Sequence, residues 1–334
     1  MLSIAPAMLA MPTGTQQQTG LIAESKAAPC AASIESQYLG LFRDVILNKA
    51  YNPSAQWMID GSSWPPEANA LSMAGQRRID SFSSLVATAV EDGVPGHVIE
   101  TGVWRGGGSF VAAKTLELLG SAGAGRLAYL ADSFHGIPKQ DDSADFLDKW
   151  SSSVSIMNDN SVERVQVDQA TIGLDDLRTK YVVGYFNESL PKLVRDEPDV
   201  QFAVVRLDGD TYSSTWDAIE ALYPRLSPGG FLIVDDYSDW ASCRQAITDY
   251  RAAHGIAEPL IMTPHGPDEE QRGIYWRKQP SADHELCARC ASSSHLRPAG
   301  ALLHQKPQLV AHPEGLLWKK GQERLTDLST CEAA

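Results

Sequence analysis

The chain has 334 residues, with 42 Asp and Glu against 28 Lys and Arg, a formal net charge of −14 and 43% apolar residues. A protein held to nucleic acid by phosphate neutralisation would carry a basic domain or stripe, and none is present. The composition is that of a globular chain, and no run of roughly 18 apolar residues offers a membrane-spanning helix.

The first residues, MLSIAPAMLAMPTGTQQQTG, have no Lys or Arg ahead of their short apolar stretch, so residues 1–33 read as a disordered leader rather than a secretory signal. Five cysteines at irregular spacing (Cys30, Cys243, Cys287, Cys290, Cys331) suit a reducing compartment, which points to a cytoplasmic location. Apolar positions Ile34, Tyr38, Leu41, Phe42, Val45 and Ile46 recur at intervals of three and four and predict a helix over 34–47. A Trp- and Pro-rich loop, Trp57 to Pro66, precedes a second helical pattern over 77–90, which stops at Asp92-Gly93 before Pro95.

From His97 onward, short apolar runs alternate with helical segments. The runs are 97–101, 127–132, 180–183, 202–208 and 231–235; the helical patterns are 107–119, 161–172, 214–226 and 240–254. That alternation predicts βαβ units and a largely parallel sheet covered on both faces. Extended runs at 259–262 and 273–277 can close the sheet, one of them antiparallel. Residues 279–334 lack periodicity and read as a poorly ordered tail. His284, Cys287, Cys290 and His295 there have zinc-compatible spacing, but no cysteine stands at Gly300 to complete a knuckle.

In an open α/β sheet, ligands bind beyond the carboxyl ends of the strands. Four such ends carry polar residues: Glu100-Thr101-Gly102, Asp132-Ser133, Asp208-Gly209-Asp210 and Asp235-Asp236. Glycines 102, 106, 107 and 108 let the first turn approach a ligand closely at a helix start, though not with the GxGxxG spacing of dinucleotide enzymes. Asp132, ending the second strand, is placed to accept ribose hydroxyls of an adenosine ligand. Carboxylates crowded at the ends of adjacent strands repel one another, so LDGD and VDDY together predict a divalent cation, and all-oxygen Asp ligands suit Mg²⁺. Asp208 ends its apolar run and is favoured as the inward residue, with Asp210 placed to cap the next helix.

At these residues the sequence resembles the macrocin O-methyltransferase family. The likeness runs from about Tyr38 to Lys278 and rests on WPPEA, IETGVWRGG, ADSFHGIP, GYFNESLP, RLDGDTYSST and LSPGGFLIVDDY in that order. The resemblance implies an α/β, Rossmann-like, seven-stranded methyltransferase fold, with a helical extension at 34–95 and a cofactor-binding core at 96–278. It implies S-adenosylmethionine in the turn holding Glu100, Thr101, Gly102, Arg105 and Gly106, with Asp132 and Ser133 near the adenosine. It also implies Mg²⁺ on Asp208, Asp235 and Asp236, with Asp208 as general base for methylation of a hydroxyl on a sugar or glycosylated natural product. The expected partner is a small hydroxylated acceptor, with neither nucleic acid nor membrane, and a homo-oligomer is compatible with the amphipathic first helix.

Two rival readings follow from the same residues. Asp208-Gly209-Asp210 is also a DxD arrangement that could serve a metal-dependent glycosyltransferase, which would leave the glycine turn and VDDY unexplained. A methyltransferase-like binding protein without activity is the other, and the intact carboxylate cluster argues against it. His135 reads as a surface or turn histidine.

Overall fold

The computed structural model describes residues 33–51, 69–138, 160–174, 178–264 and 273–280. The Trp57–Pro66 loop, the WPPEA motif, residues 141–159, the leader before Ser33 and the zinc-compatible tail lie outside the described residues.

Among the described residues, two helices precede the sheet. Helix α1 (Ile34–Ile46) starts where the Ser33 hydroxyl accepts the N–H of Ser36 at 3.1 Å, satisfying a donor the first turn leaves unpaired. Helix α2 (Gln76–Glu91) buries Ile79, Phe82, Leu85, Val86, Ala89 and Val90 at helical spacing. There follow β1 (His97–Thr101), α3 (Gly107–Leu118), β2 (Ala128–Asp132), α4 (Val162–Thr171), β3 (Thr179–Val183), α5 (Phe186–Asp196), β4 (Phe202–Leu207), α6 (Tyr212–Leu222), β5 (Leu226–Val234), α7 (Ala241–His254), β6 (Ile261–Met262) and β7 (Ile274–Arg277).

The strands form one seven-stranded sheet in the order β3-β2-β1-β4-β5-β7-β6. Strands β1 to β5 pair in parallel, and β7 runs antiparallel to both β5 and β6. Alternation along the strands divides the core. Ile99, Val205 and Leu232 face α5, α6 and α7, where they meet Leu190, Ile219 and Ile247. Val98, Val204 and Ile233 face the other way, onto Phe82 and Val86 of α2 and Leu116 of α3. Phe42 and Ile46 of α1 join a neighbouring cluster with Phe110 and Leu130. Lys114 of α3, buried, places its ammonium 5.8 and 5.4 Å from the rings of Tyr38 and Phe42, so α1 is clamped to the core through a cation–π contact.

Two elements differ from the sequence expectation. Helix α5 was absent from it: Phe186, Leu190 and Leu193 have helical spacing, but Pro191 sits among them and removes an N–H from the ladder. The burial of Leu190 and Leu193 against the sheet outweighs that loss. Strand β5 begins at Leu226 rather than Phe231, with an irregular register beside Phe202 and Val204 that admits Ser227-Pro228-Gly229-Gly230.

The strand order reverses between β1 and β4, which opens the crevice that such sheets use for ligands. Gly102, at the end of β1, has φ +85°, and a Cβ there would fall on the carbonyl of Asp208 at the end of β4. Replacing it with Ala should cost about 3 kcal/mol or more, from backbone strain and overpacking together, seen as a lower urea midpoint at unchanged m.

Candidate active site

The centre of the site is a buried arginine. Along β4 the even positions Val204 and Arg206 face α2, and the chain continues to Asp208; on β1 the corresponding face presents Val98 and Glu100. Glu100 and Arg206 are register partners on adjacent strands, so their side chains meet directly. Arg206, 2% exposed, bonds Glu100 through Nη1, bonds Asp208 Oδ2 at 2.6 Å, and places Nη2 2.7 Å from Asp235 Oδ1. The Phe82 ring of α2 lies 5.7 Å from its guanidinium carbon. One turn earlier on α2, Arg78 reaches Asp235 Oδ2. Glu100 also accepts the Ser109 hydroxyl at 2.5 Å, which fixes it to the first turn of α3.

Beyond this network, three carboxylates converge. Ligand oxygens of Asp208, Asp210 and Asp236 all lie within 4.8 Å of one another. Asp210 is at the apex of a γ-turn: its φ is +57°, and Thr211 N–H donates to the Gly209 carbonyl at 2.6 Å. Its own N–H donates to Asp236 Oδ2 at 3.2 Å. The helix-capping role expected of Asp210 belongs instead to Thr211, whose hydroxyl accepts from Ser214 N–H at 3.2 Å.

Burial and like charge set the proton affinities. Burial drives Asp236 well above the ordinary carboxylate range, with Asp208, Asp210 and Asp235 adding to it. Asp208 is pushed up to about 6, by burial and Asp235 against the opposing pull of Arg206. Glu100 rises to about 7, again by burial over the attraction of Arg206. Asp235 goes the other way: burial would raise it, but Arg206 and Arg78 together hold it below its ordinary value. Five carboxyls therefore share two guanidiniums, and the surplus sits on Asp208, Asp210 and Asp236. A hard oxygen set with excess negative charge is what a divalent cation such as Mg²⁺ requires, so these residues fit one.

The glycine turn lies across the crevice. Gly106, with φ +87°, starts α3, and Trp104 adopts φ +47°. The Asp132 carboxylate holds this turn: Oδ2 accepts N–H of Val103 at 2.9 Å and Trp104 at 3.2 Å, and Oδ1 accepts N–H of Phe134 at 2.8 Å and Asn160 Nδ2 at 3.0 Å. Despite those donors, burial leaves Asp132 above its ordinary value. The Ser133 hydroxyl donates to the Gly136 carbonyl at 2.6 Å and accepts His135 N–H at 3.0 Å. Thr101 is fully buried beside the Arg206 carbonyl. The Arg105 guanidinium grips Asp168 of α4 at 3.0 and 3.1 Å and the Ala70 carbonyl at 2.9 Å.

The structure thus brings Glu100, Asp208 and Asp235 onto one arginine, places Thr101, Gly102, Gly106, Asp132 and Ser133 in or beside the turn, and pairs Arg105 with Asp168. Arg206, Arg78, Ser109 and Asn160 escaped the sequence reading. Arg206 had a signal, since one arginine in FAVVRL must be paired if the strand is central. Arg78 had none, because its partner is 157 positions away.

A seven-stranded sheet of this order, a glycine turn at its switch point and acids on the neighbouring strand ends define a Rossmann-like methyltransferase. A solved structure described as the O-methyltransferase NovP superposes with a TM-score of 0.65 at 33% identity, covering 74% of this chain and 100% of that one. The model of the Macrocin-O-methyltransferase (TylF) family matches residues 30–278, and the chain belongs to that family. It is 35% identical over 266 residues to 8-demethyl-8-(2,3-dimethoxy-alpha-L-rhamnosyl)-tetracenomycin-C 4'-O-methyltransferase of Streptomyces olivaceus, covering 75% of this chain and 95% of the relative. It is 36% identical over 224 residues to Mycinamicin III 3''-O-methyltransferase of Micromonospora griseorubida, covering 65% and 82%. The chain is accordingly an S-adenosylmethionine-dependent O-methyltransferase, as the resemblance implied, and the glycosyltransferase and non-enzymatic readings fall away.

Arg206→Met should remove the shared counter-charge from three acidic groups and destabilise the fold by about 3–5 kcal/mol, the cost of breaking a buried ion pair from one side. Chemical denaturation at neutral pH measures it.

Proposed function

We propose that this enzyme methylates a hydroxyl on the sugar of a glycosylated natural product, with a divalent cation on Asp208, Asp236 and a third acid of the same cluster. The observation that carries this reading is the convergence of Asp208, Asp210 and Asp236 at the switch point beside the glycine turn. Asp235 takes the third place in the family pattern; in this chain both of its oxygens face guanidiniums, so Asp210 is the competing third ligand. The Streptomyces olivaceus relative named above acts on a rhamnosyl compound by its description, which favours the same class of acceptor.

When bound, adenosylmethionine supplies an electrophilic methyl group, and the cation lowers the pKa of a hydroxyl that is otherwise too weak a nucleophile near neutral pH. The residues supply position and a proton acceptor. Gly102, Gly106 and the N–H groups organised by Asp132 shape the turn that seats the donor. Glu100, held by Ser109 and Arg206, sets an acid at the floor of that turn. Asp208, just beyond the end of β4 and within the acid cluster, takes the proton as charge develops. Alignment of hydroxyl oxygen, methyl carbon and sulfur contributes further through proximity.

A specific observation favours a second base. Asp208 Oδ2 is engaged by Arg206, and Asp210, at a turn with φ +57°, belongs to the same cluster of ligand oxygens. The two are separable by single variants assayed for turnover with a glycosylated acceptor and for Mg²⁺ binding by calorimetry. Asp208→Asn should lower kcat at least ~100-fold while adenosylhomocysteine still binds; wild-type turnover would overturn the assignment. Asp210→Asn with normal Mg²⁺ affinity and an equal loss of kcat would move the base to Asp210.

Metal binding should also release protons. Asp236 and Asp208 have raised proton affinities in the metal-free fold, and a cation requires both ionised, so Mg²⁺ affinity should rise as pH increases through and above about 6. Titrations in buffers of different ionisation enthalpy check the sign.

A further inference from the structure

Arg78 belongs to the helical extension, outside the parallel sheet, yet its side chain ends in the acid cluster. It is 8% exposed and pairs with Asp235 Oδ2, while Arg206 occupies Asp235 Oδ1. Helix α2 does not need this charge for its own attachment. Phe82, Leu85, Val86, Ala89 and Val90 already bury its inner face, and Arg43 of α1 grips Asp80 at 2.7 and 2.9 Å on its flank. A buried ion pair is a weak source of stability compared with an apolar residue of the same volume. The placement of a permanent cation at this point therefore acts on the carboxylates.

We infer that Arg78 is a positioning residue that competes with the metal for Asp235, keeping the acid cluster assembled but only loosely attractive to a cation. This rests on the metal reading above. The physics is a charge balance. With Arg78 present, Asp235 is neutralised from two sides, and Asp208 and Asp236 also lie within reach of the same guanidinium's field. A divalent cation arriving at Asp208 and Asp236 meets that positive charge and finds Asp235 committed. Without Arg78, one oxygen of Asp235 turns free toward the cluster and the repulsion is gone. An arginine in this role also holds the metal-free cluster together against the mutual repulsion of its acids, so removing it shifts stability from the protein's own charges onto the metal.

The test is calorimetric titration of Mg²⁺ into the full-length protein, with thermal unfolding recorded at zero and saturating Mg²⁺. Arg78→Met should bind Mg²⁺ about tenfold more tightly, since a unit charge has been removed from beside a divalent ion. Its melting temperature should fall without metal and recover with it, widening the gap between the two conditions. Arg78→Lys, which keeps the charge, should bind Mg²⁺ as the wild type does. A merely structural arginine would lower both melting temperatures equally and leave the affinity alone. Unchanged or weaker Mg²⁺ binding by folded Arg78→Met overturns the inference while wild-type binding leaves the metal reading standing. A wild-type protein that binds neither Mg²⁺ nor Mn²⁺ overturns both. Should Arg78→Met not fold at any metal concentration, Arg78→Gln is judged by the same affinity criterion.

Discussion

A guanidinium buried in a central strand sets the terms for everything around it. Arg206 is cut off from water between β1 and β5, where an unpaired charge would be untenable, so Glu100, Asp208 and Asp235 must be brought to it. That requirement fixes the register of β1 against β4 and holds the first residue beyond β5 against the end of β4. It also determines which acids are left over. Glu100 and Asp235 are taken up by the arginines, and Asp208, itself bonded to Arg206, leads on to Asp210 and Asp236.

This division explains why neighbouring residues of identical chemistry diverge. Asp235 and Asp236 are adjacent in sequence but meet different partners. The first meets two arginines and is held ionised; the second meets Asp208 and the backbone N–H of Asp210 and has its proton affinity raised by burial. Environment, not residue type, assigns the roles.

Much of the fold was legible because a parallel sheet covered on both faces writes its strands as short apolar runs, and 97–101, 127–132, 180–183 and 202–208 all fall within a residue or so of the observed strands. Helix α5 was not legible, since a proline inside its apolar stripe contradicts the local signal and only the tertiary contact of Leu190 and Leu193 decides the matter. For the site, the acids at the strand ends could be read from their position after apolar runs. Their division of labour could not, because it depends on Arg78, far away in sequence, and on the parity of Arg206 in its strand. Asp132 shows the same limit: its place at a strand end could be read, but that its oxygens accept the N–H groups of Val103, Trp104 and Phe134 and the Asn160 amide could not.

Trp104, Phe134 and Asp210 each adopt a left-handed backbone conformation, and each stands just past the end of a different parallel strand. Non-glycine residues resist that conformation, so the surrounding packing and hydrogen bonds must impose it. These three tips are therefore shaped by the fold itself. Attempts to retarget the enzyme to a different alcohol would do better to vary side chains projecting from this frame than to exchange the three tips themselves, whose shapes are tied to the sheet beneath.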